Sequence, residues 1–164
     1  MRQPEIQFKS KSEISEFQDA KLREQIAYVA ENSPYYSALF KRMGVSPSDI
    51  KTVKDLEKLP VTTKNDLLEH NEEFLCVPRS KVTDIVTTSG TTGVPVIVYL
   101  TKHDLDRLSY NEFLTFSAAE LTTDDTVQLM TTIDKRFMAG LAYFLGAVEL
   151  LELEAVFPNF NGIR

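Results

Sequence analysis

The sequence contains a single cysteine, Cys76, so no disulfide can close within the chain, and this scarcity fits a reducing compartment. Histidine is almost as rare. His70 and His103 stand far apart, and with one cysteine beside them they read as no closed structural zinc site, so no metal ligands are assigned. Basic residues are outnumbered, 18 Lys and Arg against 24 Asp and Glu, for a formal net charge of -6. A surface of that sign has no general attraction for nucleic acid or for anionic membranes. A membrane span needs about 20 apolar residues. The most apolar stretch, Phe137 to Val148, is interrupted by Gly140 and Gly146 and followed by Glu149, which predicts a buried helix instead. Met1 to Ser10 is polar and lacks the apolar centre of a secretory signal. The expected location is the cytoplasm. What remains is ordinary: 164 residues, 43% hydrophobic and 26% charged, enough for one domain with a core and unlike a disordered or fibrous chain.

The pattern divides near residue 80. Over 16–31, Phe17, Leu22, Ile26, Val29 and Ala30 recur at helical spacing among Lys, Arg and Glu. Asn32-Ser33-Pro34 ends that helix, and Tyr35 to Met43 predicts a second one stopped by Gly44. Ser46 to Asp49 has turn chemistry, Thr52 to Leu59 reads as a short helix closed by Pro60, and Thr62 or Thr63 can cap another through Asp66, Leu67 and Leu68. Residues 1–80 are thus expected to be mostly helical, with a packing role. Residues 81–164 are expected to be an α/β segment of the same domain. Val82 to Thr88 and Val96 to Leu100 are β-branched runs that predict neighbouring strands. Thr101 can cap a long helix, Lys102 to Glu120, with Leu105, Leu108, Phe113, Phe116 and Ala119 near one face. Val127 to Thr131 predicts a strand, and Phe137 to Leu150 a buried helix. Strands alternating with helices give the class α/β.

One segment carries a chemical signature: Thr87-Thr88-Ser89-Gly90-Thr91-Thr92-Gly93-Val94-Pro95. Two glycines three apart open backbone conformations closed to other residues. Their amides can converge into an anion-binding nest, and the hydroxyls of Thr88, Ser89, Thr91 and Thr92 add donors. With no acidic residue in it, the loop suits a polyphosphate. It is not a Walker A loop, since no lysine follows Gly93, and not a nucleophile elbow, since Ser89 lacks the glycine two residues before it. From composition alone a polar hairpin turn fits equally well.

The order of the residues goes further. Thr88-Ser89-Gly90-Thr91-Thr92-Gly93-x-Pro95 resembles the phosphate-binding loop of the adenylate-forming superfamily of acyl-CoA synthetases, adenylation domains and luciferases. Asn32-Ser33-Pro34-Tyr35-Tyr36, Leu59-Pro60-Val61-Thr62-Thr63-Lys64-Asn65-Asp66-Leu67 and Ala142-Tyr143-Phe144-Leu145-Gly146-Ala147 are similar to landmarks of its phenylacetate–CoA ligase branch. The resemblance runs from roughly residue 20 to residue 150. It implies a helical segment followed by part of the large N-terminal domain of such an enzyme, incomplete in these 164 residues. It also implies activation of a carboxylic acid, an aryl acid such as phenylacetate by family expectation. ATP with Mg²⁺ converts the acid to an acyl-adenylate, and coenzyme A then takes the acyl group as a thioester. By the same resemblance Ser89, Gly90, Thr91, Thr92 and Gly93 hold ATP phosphates with Thr88 in support. Phe137 and Gly140 lie where relatives place part of the acyl pocket, although a core helix with an aromatic start explains them as well.

Two departures temper this. Relatives often carry a lysine beside the loop proline, where this chain has Val94 and Val96. The family's later motifs (an acidic Mg²⁺ residue, a ribose-binding aspartate, a C-terminal lysine domain) do not occur, and the text after Leu150 drifts, so the chain is expected not to complete the reaction alone. Other readings are a non-catalytic fragment of such an enzyme, or an adenylating relative with another acceptor, as in acyl-protein synthetases. Cys76 has no histidine placed to activate it. A Ser89–His103–Asp104 triad fails because adjacent residues of one helix point to different sides.

Overall fold

The computed structural model describes residues 5–88, 90, 93–128 and the backbone of 154–156. The chain forms two compact units, one over Arg2–Arg79 and the other from Ser80 onward.

In the first unit, α1 spans Lys11–Asn32. It begins five residues before the apolar periodicity does, because Ser10 caps it. The Glu13 amide donates to the Ser10 hydroxyl at 3.3 Å, and the Glu13 carboxylate accepts from the Ser10 amide at 3.0 Å. This reciprocal box satisfies helix-end amides that would otherwise lack partners. α1 ends at Ser33, whose own side chain caps α2 (Pro34–Met43), with proline in the first turn where its missing N–H is harmless. Past α2, Gly44 takes φ 64°, and the Val45 amide reaches back to the Phe40 carbonyl at 3.3 Å. That is a left-handed helix stop, which glycine adopts without side-chain strain.

Short 3-10 turns follow at Pro47–Asp49 and Val53–Lys58, where a short helix was expected, and Thr63 caps α3 (Lys64–Glu69). Ile26, Phe40 and Ile50 form the buried core of this unit, packed by Leu22, Ala30, Tyr36, Val45 and Leu59. Each such side chain contributes about 1.5–3 kcal/mol by leaving water. Polar pins fix the register. The Val53 amide donates to Asp19 at 2.8 Å, and the buried Ser33 hydroxyl donates to the Glu73 carbonyl at 2.9 Å. Tyr35 stacks on Phe74 with ring centroids 4.1 Å apart.

In the second unit, β1 (Asp84–Thr87) pairs antiparallel with β2 (Ile97–Leu100), Asp84 opposite Leu100 and Thr87 opposite Ile97. Side chains alternate across a strand. Val86 and Leu100 are buried on one face, while Ile85 and Ile97 remain 49% and 42% exposed on the other. Thr101 caps α4 (Lys102–Ala118), its amide and hydroxyl both donating to Asp104. Phe113 and Ser109 are the buried residues of α4, and Leu105, Leu108 and Phe116 are half-buried. Ala119, expected on that face, is exposed beyond the helix end. There Glu120 takes φ 62° and the Leu121 amide returns to the Phe116 carbonyl at 3.2 Å.

β3 (Thr126–Gln128) stands where a strand was predicted, and it pairs parallel with β4 (Glu154–Val156). β4 was not anticipated, although Leu151-Glu152-Leu153-Glu154-Ala155 alternates apolar and polar in the strand period. The helix predicted over Phe137–Leu150 lies outside the described residues. No helix among the described residues is long and apolar enough to cross a membrane.

Candidate functional site

The candidate loop is carried on the end of the β1–β2 hairpin. β-branched residues on both strands favour the extended backbone, and burial of Val86, Val96 and Leu100 on one face sets the register. The ladder continues beyond the strands at each end. At the loop end, the Thr88 amide donates to the Val96 carbonyl at 3.0 Å, and the Val96 amide donates to the Thr88 hydroxyl, also at 3.0 Å. At the other end, the Thr83 amide donates to the Leu100 carbonyl at 2.7 Å.

Between these posts the loop folds tightly. Gly90 takes φ 65° and Gly93 φ 136°, both in the region that glycine alone enters freely. The Gly93 amide donates to the Gly90 carbonyl at 3.0 Å, closing a four-residue turn. A Cβ on Gly90 would lie 2.7 Å from the Pro95 ring and 2.9 Å from the Gly93 carbonyl oxygen. Proline therefore does more than stiffen the exit of the loop: its ring lies against the α-carbon of Gly90. At Gly93 an added Cβ meets nothing within 4 Å, so its requirement is one of backbone angle, with open space beside it.

Of the residues read from the sequence as phosphate-holding, Thr88, Gly90 and Gly93 are brought together here. Ser89, Thr91 and Thr92 lie outside the described residues, as do Phe137 and Gly140 of the expected acyl pocket. The Gly93 amide is engaged inside the turn, where it bonds the Gly90 carbonyl. The contribution sequence reasoning missed is the pairing of Thr88 with Val96, since a motif records a hydroxyl but not its direction.

Other candidates have ordinary occupations. Cys76 is half-buried, burial pushes its thiol up, and the thiol faces the Phe74 carbonyl at 3.6 Å. A thiol held protonated is a poor nucleophile. His103 is exposed, and the Asp104 carboxylate accepts from the Thr101 amide and hydroxyl at 2.8 and 2.7 Å, so it serves as a helix cap. Lys102 pairs with Asp106 one turn along α4. Among the described residues no group of three His, Cys, Asp or Glu is placed to hold a metal ion.

No protein-family model matches the chain. Individual proteins do. Over 106 residues, 64% of the chain, it is 38% identical to a phenylacetate–coenzyme A ligase of Thermus thermophilus, of which the match covers 24%. Over 103 residues, 62% of the chain, it is 39% identical to a phenylacetate–coenzyme A ligase of Aromatoleum evansii, covering 23% of that protein. The chain thus spans about a quarter of the length of these relatives. Its fold superposes on the crystal structure of a 2-hydroxyisobutyryl-CoA ligase, in complex with 2-HIB-AMP and CoA, with a TM-score of 0.85. That alignment covers 97% of this chain and 38% of the ligase at 21% identity.

Proposed function

We propose that this chain, a phenylacetate–CoA ligase-like member of the adenylate-forming family over the stretch that matches, contributes the triphosphate-binding loop of an AMP-forming acid–CoA ligase. The observation that carries the reading is the loop itself: a turn closed from Gly90 to Gly93, backed by Pro95 and suspended between two strands. A backbone so constrained at Gly90 and Gly93 needs little reorganisation when an anion arrives.

In this reading the hydroxyls of Ser89, Thr91 and Thr92 and the amides around Gly90 hold the β- and γ-phosphates, while Thr88 and Gly93 set the backbone path. The loop works by position and charge, since a carboxylate and a triphosphate repel each other and must be brought together. Mg²⁺ would enter with the nucleotide, bound to its phosphates. The carboxylate attacks the α-phosphorus, pyrophosphate leaves, and the acyl-adenylate passes its acyl group to the thiol of coenzyme A with release of AMP. Phe137 and Gly140 are the residues proposed for the acyl side by resemblance alone, and an aryl acid is the expected substrate. The single cysteine supports a cytoplasmic setting.

A second reading is favoured by the exposed Ile85 and Ile97: a nucleotide-binding segment that does not turn over by itself. Two assays separate the readings: MgATP binding by the protein, measured by calorimetry, and acid-dependent ATP–pyrophosphate exchange over a panel of aryl and aliphatic acids once the remaining three quarters of a phenylacetate–CoA ligase are joined to it. Exchange supports the ligase, binding without exchange supports the second reading, and neither binding nor exchange overturns both.

A further inference from the structure

We infer that Thr88 is a positioning residue for the triphosphate, acting by ending the β1–β2 ladder with its side chain, an inference that rests on the loop being the phosphate site. In an antiparallel hydrogen-bonded pair, two opposite residues exchange both N–H to C=O bonds. Thr88 and Val96 stand opposite each other one step beyond Thr87 and Ile97, in the position of such a pair, yet their exchange is mixed. The Thr88 amide bonds the Val96 carbonyl, and the returning Val96 amide bonds the Thr88 hydroxyl at 3.0 Å.

The consequence lies in where the chain goes next. A carbonyl held in the ladder keeps its residue extended and carries the strand one step further toward Ser89. With the hydroxyl supplying the acceptor, the Thr88 carbonyl leaves the ladder. Two residues on, Gly90 takes a left-handed backbone with the Pro95 ring against it. Val96, at 4% exposure, offers its amide little water as an alternative partner. Without the hydroxyl, that amide either stays unpaired or recaptures the carbonyl and draws the loop out of its turn. Both outcomes shift the turn that runs from Gly90 to Gly93. Valine matches threonine in shape and branching, so Thr88→Val removes the acceptor alone, while Thr88→Ser keeps it.

The test uses the protein with two probes, inorganic pyrophosphate and adenosine, alongside MgATP, each titrated against wild type, Thr88→Ser and Thr88→Val. Expected is near-normal binding by Thr88→Ser and a loss of about tenfold or more in MgATP and pyrophosphate affinity in Thr88→Val, with adenosine affinity unchanged. If Thr88→Val fails to fold, Thr88→Ala takes its place with the same expectation. Wild-type binding of MgATP that Thr88→Val retains in full would overturn the inference and leave the phosphate-site reading standing. So would a loss in Thr88→Ser as large as in Thr88→Val. No binding of MgATP or pyrophosphate by wild type would overturn that reading, and the inference with it.

Discussion

In the segment 5–79, polar side chains near helix ends return hydrogen bonds to those ends: Ser10 with Glu13, Ser33 with Tyr36, Thr63 with Asp66. The apolar residues Ile26, Phe40 and Ile50 meet one another in a shared core. In the segment 80–128 the capping is as good, with Thr101 and Asp104 reciprocating at α4, but the sheet buries one face and leaves Ile85 and Ile97 on the other. The tightest backbone of this segment is in a loop, at Gly90 and Gly93. The two regions also end a helix by the same device with opposite choices, glycine at Gly44 and a glutamate at Glu120. One region is organised around its own packing. The other accepts less favourable local choices and carries the candidate loop.

The comparison can be broken most forcefully at Phe40. Phe40 is 4% exposed in the core of the first unit, so Phe40→Ala is expected to cost about 3–5 kcal/mol in urea unfolding. A loss below about 1 kcal/mol would mean that this core is not what holds the segment together.

A smaller and more pointed comparison swaps the two helix stops. Gly44→Ala meets no steric neighbour, so it isolates the backbone penalty of a left-handed residue, about 1 kcal/mol lost. Glu120→Gly relieves the same penalty at the end of α4 and is expected to gain up to about 1 kcal/mol. Equal effects of the same sign in the two thermal unfolding experiments would refute the equivalence of the two stops.

The smallest expected effect is a pH dependence at the α3 cap. The Thr63 hydroxyl and amide hold the Asp66 carboxyl below the usual carboxylate range. A depressed folded value means that the cap contributes fully above the ordinary aspartate pKa, near ~3.9, and that the contribution is lost as pH falls through the folded value. An NMR titration should show the Asp66 midpoint moving upward in Thr63→Ala. An unmoved midpoint would assign the shift to some other cause.

Much of this was legible because the signals are local. Pro34, Gly44 and Thr101 mark boundaries by backbone chemistry that needs no partner elsewhere, and the β-branched runs around the glycine loop fixed its place between strands. The start of α1 was written in Ser10-x-x-Glu13, but the first turns are exposed and show no apolar period. β4 was harder, since three residues of strand depend on pairing with Thr126–Gln128 far back in the chain. At the loop, the sequence displayed which donors exist but not where they point. That the Gly93 amide closes the turn and the Thr88 hydroxyl receives Val96 follows from the path of the backbone, which a motif does not encode.

Triphosphate binding by the loop from Thr88 to Gly93 is tested most directly by calorimetric titration of MgATP into the wild-type protein and Gly90→Ala. An added Cβ at Gly90 would press on the Pro95 ring at 2.7 Å and the Gly93 carbonyl at 2.9 Å, so the variant cannot keep the loop's shape. Saturable binding by the wild type and a loss of about tenfold or more, roughly 1.4 kcal/mol, in the variant are expected. Absence of binding by the wild type, or equal affinity in the two proteins, would contradict triphosphate binding by the loop.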